Sequence, residues 1–161
     1  MPVKYGGFWR RVVAYFIDSI ILSIGLAIVE GIFGFGMAMD LIDVDASGQA
    51  SFAAGYLGFA AFNLIAPWLY FAVLESSSWQ GTLGKKALGM IVTDLDGNRI
   101  SFGRATGRYF AKILSALIMM IGFIMVAFTA RKQGLHDMIA GTLVYKATPP
   151  ELVSTNVSVF E

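Results

Sequence analysis

Residues 12–39 read VVAYFIDSIILSIGLAIVEGIFGFGMAM and carry no charge except at Asp18 and Glu30. A second stretch, FAAGYLGFAAFNLIAPWLYFAVL at residues 52–74, has no charged residue at all. An α-helix needs about 20 apolar residues to cross a hydrocarbon core about 30 Å thick, and both stretches are longer. Helices of soluble proteins average roughly 10–14 residues. The two stretches therefore predict membrane-spanning helices at residues 12–37 and 52–74.

The composition of the chain supports the same class. The 161 residues are 57% apolar and 14% charged, whereas roughly 25% of the residues of an ordinary soluble domain are charged. So few charges cannot form the polar shell of a soluble protein. The chain has no cysteine and one histidine, which argues against thiolate sites and imidazole-built metal centres. We therefore expect an all-α integral membrane bundle without a metal or cofactor.

The charges that flank the two spans predict the orientation of the chain. Only bases precede the first span, only acids lie between the spans, and bases outnumber acids after the second span. In order along the chain, these residues are Lys4, Arg10 and Arg11, then Asp40, Asp43 and Asp45, then Lys85, Lys86, Arg99, Arg104, Arg108 and Lys112. Cytoplasmic loops are enriched in Lys and Arg. We therefore expect a multi-pass protein of the bacterial cell (inner) membrane with a cytoplasmic N-terminus and an outside loop at residues 40–50.

The segment after the second span predicts a small cytoplasmic β-element at residues 87–102. Residues 87–93 are typical of a strand, the Asp-Gly step within residues 94–98 is typical of a hairpin turn, and residues 99–102 fit a returning strand. Residues 142–145 are also strand-like and are expected to join the hairpin as a third strand. The polar tail at residues 147–161 is predicted to be disordered.

A third apolar segment, at residues 108–130, permits two interpretations. Its length is sufficient for a marginal span, but Arg131, Lys132 and Lys146 follow it, and a full crossing would leave those bases outside. A re-entrant hairpin that bends near Gly122 would return them to the cytoplasm. We favour the re-entrant or surface-lying interpretation, because non-helical backbone at membrane depth is tolerated where protein covers it.

Asp18 is the sharpest candidate for a functional residue. It lies about 9 Å into the first helix at 1.5 Å per residue, where a charged group costs roughly 2.5–3.5 kcal/mol. Two roles are open for Asp18. It could be a functional residue, or it could be a hydrogen-bonded acid with a purely structural role. Arg11 lies two helical turns earlier but leans away from Asp18, because helical side chains point toward the N-terminus. Asp137 is therefore the expected partner of Arg11.

Two further polar residues are candidate site members. Asn63 lies near the middle of the second span, where Pro67 frees its carbonyl group; a tolerated kink with an interhelical hydrogen bond is favoured over a polar site. His136 precedes Asp137, but no nucleophile at a recognisable spacing supports a hydrolase triad. A hydrogen-bonding role for this histidine is favoured over pH sensing.

Three motifs in this order resemble the RDD family of bacterial membrane proteins. They are RVVAYFID at residues 11–18, GTLGKKALG at residues 81–89 and LHDMIAGT at residues 135–142. The family is named after one arginine and two aspartates, which the resemblance assigns to Arg11, Asp18 and Asp137. It implies a membrane domain over residues 1–146, for which transport of an unknown ligand is the usual proposal.

These features together predict a transporter or transporter-like protein. The transport activity considered is the exchange of a cation for a proton. Asp18 would carry the proton and Arg11 would compete for it. Two or three spans cannot enclose a pathway, so the protein is expected to self-associate in the lipid bilayer as a homo-oligomer. The alternative is an accessory or assembly subunit that binds another membrane protein, with the charged residues as structural glue. We expect neither enzymatic activity nor nucleic-acid binding.

Overall fold

The computed structural model of the chain describes residues 4–40, 46–118 and 121–146. Within these ranges the elements are, in chain order, α1 (Phe8–Asp40), α2 (Ala46–Ser76), α3 (Leu83–Ala87), β1 (Met90–Asp94), α4 (Phe102–Leu117), α5 (Ile121–Phe128), α6 (Leu135–Ala140) and β2 (Thr142–Lys146). The tail that was predicted to be disordered lies outside the described residues, as does part of the expected outside loop.

The two predicted membrane spans are confirmed as long helices. Phe8–Gly34 in α1 and Ala54–Ser76 in α2 are each long and apolar enough to cross a membrane. Both expose large apolar side chains that only lipid or protein could shield from water. Examples are Ile24, Ile28, Ile32, Leu57 and Leu64.

The third apolar segment is bent. α4 and the helix at residues 122–128 meet at an angle of 95°, close to the predicted bend at Gly122. After α5 the chain returns, because α6 packs on α4 and Asp137 contacts Arg108. A straight helix over residues 108–130 would be about 33 Å long and could not bring its end back to Arg108. The bend excludes a single straight helix over this segment, and it fits both a broken span and a re-entrant segment.

The predicted small β-element is confirmed, and β1 corresponds to the strand predicted at residues 87–93, but the predicted pairing of that strand with residues 99–102 is wrong. β1 pairs antiparallel with β2, with Met90 opposite Lys146 and Asp94 opposite Thr142, so the strand predicted at residues 142–145 is confirmed. The turn at residues 94–98 is present, but residues 99–102 do not return as a strand. The hydroxyl of Ser101 instead accepts a hydrogen bond from the backbone N–H of Arg104 at 3.2 Å and caps α4, as serine commonly does at helix N-termini.

The start of the chain lies on the free edge of β2. The N–H of Gly6 donates to the carbonyl of Val144 at 2.8 Å, and the N–H of Lys146 donates to the carbonyl of Lys4 at 2.8 Å. The ring of Tyr5 stacks on that of Tyr145, with centroids 5.3 Å apart. The residues that precede α1 and the last described strand are therefore fixed to each other.

The chain divides into two compact units. The first unit, Met1–Asp18 with Leu69–Glu161, contains the sheet, helices α3 to α6 and the adjoining ends of α1 and α2. Its fully buried apolar side chains include Ala14, Ala72, Met90, Val92, Ile100, Leu143 and Val144. The second unit, Ser19–Trp68, consists of the remaining parts of α1 and α2.

Candidate functional site

Six charged side chains of the first unit lie together and almost out of contact with solvent. We call this set the charged network; its side chains are at most 16% exposed. Charges withdrawn from water are costly unless each is paired and hydrogen-bonded. The members of the network are Arg11, Glu75, Lys85, Arg108, Lys112 and Asp137.

Arg108 is the centre of the charged network. Its Nη1 donates to Oε2 of Glu75 at 2.9 Å, and its Nε and Nη2 donate to Oδ1 of Asp137 at 2.9 and 2.6 Å. The planar guanidinium presents its donors in a fixed fork, and here that fork joins two carboxylates from different helices. Arg108 is the link between the C-terminal end of α2 and α6.

The predicted partnership of Arg11 and Asp137 is confirmed. Nη1 of Arg11 donates to Oδ2 of Asp137, while its Nε and Nη2 donate to the carbonyls of Gly6 and Lys132 at 2.8 and 2.6 Å. Burial alone would raise the pKa of Asp137, but Arg108 and Arg11 outweigh it and hold that pKa well below its ordinary value. Asp137 is therefore a carboxylate with two arginine partners.

Glu75 carries the other half of the charged network. Its Oε1 accepts from Nζ of Lys85 at 2.5 Å and from Nζ of Lys112 at 3.3 Å. The ammonium of Lys112 also lies 4.3 Å above the centroid of the Phe71 ring. Burial lowers the pKa of Lys85 to about 7; Glu75 opposes the shift, and Arg108 and Lys112 add to it. Burial thus disfavours the charged form of Lys85 despite its contact with Glu75.

Asp18 lies apart from the Arg11–Asp137 pair in its contacts. It is buried and accepts hydrogen bonds from the hydroxyls of Thr82 and Tyr70 at 2.5 and 2.7 Å, and from the N–H of Gly84 at 2.7 Å. A Cβ on Gly84, in the first turn of α3, would lie 2.1 Å from the carbonyl oxygen of Ala14, so only glycine lets this turn lie against α1. These contacts connect Asp18 to residues Gly81–Lys85, the turn before α3 together with the start of α3, which we call the loop.

The two other predicted candidates do not join the charged network through a strong contact. Nε2 of His136 is 3.4 Å from Oδ1 of Asp137, and its ring packs on Phe123. Among the described residues, Nδ1 of His136 has no hydrogen-bond partner. Asn63 belongs to the second unit and donates to the carbonyl of Phe59 at 3.1 Å. This bond lies within α2, whereas an interhelical bond was predicted. No group of ligands suited to a metal occurs in the described part of the chain.

Four members of the charged network were missed as site residues. Glu75 lies at the end of the second span, and Lys85, Arg108 and Lys112 were counted only as cytoplasmic bases. One signal was available: Arg104, Arg108 and Lys112 are four residues apart and therefore lie on one helix face. Such spacing does not tell whether that face is buried.

The buried His136 should make the stability of the protein fall on mild acidification. Burial lowers its pKa to about 3, so below about pH 6.5 the unfolded chain binds a proton that the folded chain does not. At about 1.4 kcal/mol per pH unit, the free energy of unfolding should be roughly 2 kcal/mol lower at pH 5 than at pH 7. Thermal denaturation in a mild detergent across this pH range measures the change.

His136→Gln is the matched variant for that measurement. It keeps a donor toward Asp137 but does not titrate, and the chain has no other histidine. Its stability should therefore fall much less between pH 7 and pH 5 than that of the unaltered protein, and the remaining change would come mainly from Lys85. Parallel losses in both proteins would show that another group causes the dependence.

Comparison with known proteins identifies the family. The RDD family matches residues 5–141. The chain is 42% identical over 150 residues to the uncharacterized protein YxaI of Bacillus subtilis (strain 168), a match that covers 89% of this chain and 99% of that protein. It is 32% identical over 147 residues to the uncharacterized membrane protein YteJ of the same strain, covering 87% of this chain and 80% of that protein. No solved structure gives a significant match. The two spans, the three motifs in their order along the chain and the family match over residues 5–141 agree with one another. The chain therefore belongs to the RDD family of membrane proteins.

Proposed function

We propose that this membrane protein is a transporter that acts as a homo-oligomer and exchanges a proton for a monovalent cation at its charged network. The observation that supports the proposal is the enclosure of four basic and two acidic side chains at the ends of two spans. Ionisable groups within membrane spans are rare and mark ion and proton pathways, and Arg11 and Glu75 of the network lie within the two candidate spans. Two spans and one bent segment cannot enclose a pathway, which is why the proposal includes self-association.

Lys85 is the proposed proton carrier. Its amine is 2.5 Å from Glu75, and burial lowers its pKa to about 7, whereas the arginines stay charged. With Lys85 protonated, the four bases exceed Glu75, Asp137 and the nearby Asp18 by one positive charge. Without that proton the charges balance. A monovalent cation beside Glu75 would restore the same excess, so proton and cation can replace each other.

This assignment gives Asp18 an anchoring role in place of the expected proton-carrying role. Its carboxylate accepts three hydrogen bonds from neighbouring groups, none of which belongs to the charged network. Asp18 would hold the loop that carries Lys85 against α1. Transport would then depend on Asp18 through the position of Lys85.

The proposed arrangement in the membrane places the charged network on the cytoplasmic side. The distribution of bases and acids around the spans supports a cytoplasmic N-terminus in the bacterial cell (inner) membrane. The bend between α4 and α5 supports a re-entrant segment, since irregular backbone at membrane depth lines a cavity or is covered by protein. The pathway would then lead from this segment to Glu75.

Proton movement in proteoliposomes tests the proposed function. Vesicles that hold a pH-sensitive dye should change their internal pH when an outward or inward gradient of Na⁺ or K⁺ is applied, and the rate should change around pH 7. Lys85→Arg should keep the charge and the fold but abolish exchange, because arginine does not release its proton. Glu75→Gln should abolish exchange too.

Arg104→Gln is the matched control for these variants. Arg104 lies on α4 like Arg108, but its side chain is 44% exposed and its contact with Asp94 is 3.5 Å long. This variant should exchange at the normal rate. Normal exchange by Lys85→Arg, or no proton movement by the unaltered protein with either cation, would refute the proposal.

The second candidate function is that of an accessory subunit for another membrane protein. The observation that favours it is that every carboxylate oxygen of Asp18 and Asp137 accepts a hydrogen bond from a donor within the chain. Such contacts are expected of acids that only hold the structure together. Co-purification of a single membrane protein in stoichiometric amount, together with absence of proton movement, would favour this function.

A further inference from the structure

Phe71 and Glu75 lie on the same face of α2. They are four residues apart, which makes their side chains neighbours on a helix, and both are buried. Two rings from other helices hold the Phe71 ring in place. It stacks on Tyr15 of α1 with centroids 6.3 Å apart, and it packs on Tyr109 of α4 with centroids 6.0 Å apart. The fold therefore keeps a carboxylate and an aromatic face side by side.

An ammonium group lies between this carboxylate and this ring. Nζ of Lys112 is 3.3 Å from Oε1 of Glu75 and 4.3 Å from the centroid of the Phe71 ring. A negative charge and the face of an aromatic ring both attract cations. The position of this Nζ also measures the available room, because a free ammonium ion has the size of the group that is already there.

Lys112 is bound less tightly to Oε1 of Glu75 than Lys85 is. The Lys85 contact is 2.5 Å long and its side chain is 9% exposed, whereas the Lys112 contact is 3.3 Å long and its side chain is 16% exposed. A lysine head group is carried on a flexible four-carbon stem. Lys112 is therefore the more easily displaced of the two lysines, and a free cation can take the place of its ammonium.

The groups around this position determine which cations suit it. Ca²⁺ and Mg²⁺ require several oxygen ligands, and Mg²⁺ gives up its water reluctantly; one carboxylate and one ring serve them poorly. Ammonium and K⁺ have similar sizes and a single charge, and they lose water more easily than Na⁺ or Li⁺. The ring favours such cations, since attraction to an aromatic face is strongest for a desolvated charge.

We propose that Oε1 of Glu75 and the ring of Phe71 form a binding site for a weakly hydrated monovalent cation of the size of ammonium or K⁺, and that the ammonium of Lys112 occupies this site when no free cation is bound. For the role of that cation in exchange, the proposal rests on the proposed function. It adds the position of the cation and a preference for K⁺ over Na⁺, which Phe71 provides.

The cation dependence of thermal stability in dodecyl maltoside tests the site, with Lys112→Met as the main variant. Methionine keeps most of the apolar stem but removes the ammonium, so the site is left to cations in solution. Chlorides of K⁺, ammonium, Na⁺ and Li⁺ are compared at equal ionic strength with that of N-methylglucamine, which is too bulky to enter. A cation that binds the folded protein raises its melting temperature. K⁺ and ammonium should raise it most and Li⁺ least.

The unaltered protein should show the same order of cations with smaller shifts, because a free cation must first displace Lys112. Adding Phe71→Leu to Lys112→Met should reduce the preference for K⁺ over Li⁺ by about three- to thirtyfold in affinity, the range expected for one cation–π contact. Arg104→Met is the matched control, since it removes a base of the same helix whose side chain is 44% exposed. It should show the cation dependence of the unaltered protein.

Three results would each overturn the proposal. They are a Lys112→Met protein no more stable in K⁺ or ammonium than in N-methylglucamine, an unaltered protein that does not distinguish the cations, and a preference for K⁺ that survives Phe71→Leu. Because the measurement involves no transport, the two proposals can fail separately. Preferential binding of K⁺ by a protein that moves no protons in vesicles would support the site and refute the exchange.

Discussion

Arg108→Ala is expected to lower the free energy of unfolding by about 3–5 kcal/mol, the usual cost of removing one partner from a buried ion pair. Arg108 is 1% exposed and joins Glu75 to Asp137. Its loss would leave Asp137 with one arginine partner, Arg11, and Glu75 with two lysines. Thermal and denaturant-induced unfolding in a mild detergent measures the change.

Arg104→Ala is the matched control on the same helix. The Arg104–Asp94 pair is partly exposed, and exposed pairs contribute roughly 0–1 kcal/mol. The difference between the two variants therefore isolates the effect of burial. Losses that agree to within about 1 kcal/mol would mean that the charged network does not hold the helices together.

Gly84→Ala should have the second largest effect. The added Cβ would lie 2.1 Å from the backbone oxygen of Ala14, so the loop must move away from α1. This movement would break the bonds that Thr82 and the N–H of Gly84 make to Asp18. Hydrogen bonds to charged groups are worth about 1.5–3 kcal/mol each, so we expect a loss of at least about 3 kcal/mol in detergent unfolding.

Gly107→Ala is the control for that substitution. Gly107 lies inside α4, and a Cβ there meets nothing within 4 Å. Replacing glycine by alanine in a helix interior normally stabilises by roughly 0.5–1 kcal/mol, so the two glycine variants should differ in sign. Unchanged stability of Gly84→Ala would contradict the close approach of the loop to α1.

The spans and one ion pair could be predicted because they depend on local patterns. An apolar run of 28 or 23 residues with few or no charges is typical of a helix that crosses a bilayer. Arg11 and Asp137 could be paired because the side-chain direction on a helix excluded Asp18 as the partner, and the bases after the third segment indicated that the chain returns.

The rest of the charged network could not be predicted, because burial depends on contacts between distant segments. Lys85 and Arg108 are ordinary cytoplasmic bases by sequence, and they become site residues only where the loop and α4 meet Glu75. The bend between α4 and α5 brings Arg108 to Asp137. No local sequence pattern specifies this contact between Arg108 and Asp137.

The β-hairpin prediction failed for a similar reason. A strand with an Asp-Gly turn after it can pair with the next segment or with a distant one, and the turn alone does not decide between them. Here Ser101 starts a helix, and β2, about 50 residues later, supplies the partner of β1.

The charged network and the proposed exchange both depend on the return of the bent segment to the side of the membrane from which it started. Single cysteines at Leu95, before the segment, and at Arg131, after it, can be labelled with an impermeant maleimide, because the chain contains no cysteine of its own. A cysteine at Ser47, between the two spans, is expected to report the opposite side. We predict that positions 95 and 131 are labelled only in inverted vesicles and position 47 only in intact cells. Labelling of position 131 in intact cells, together with position 47, would show a third full crossing and would contradict the account.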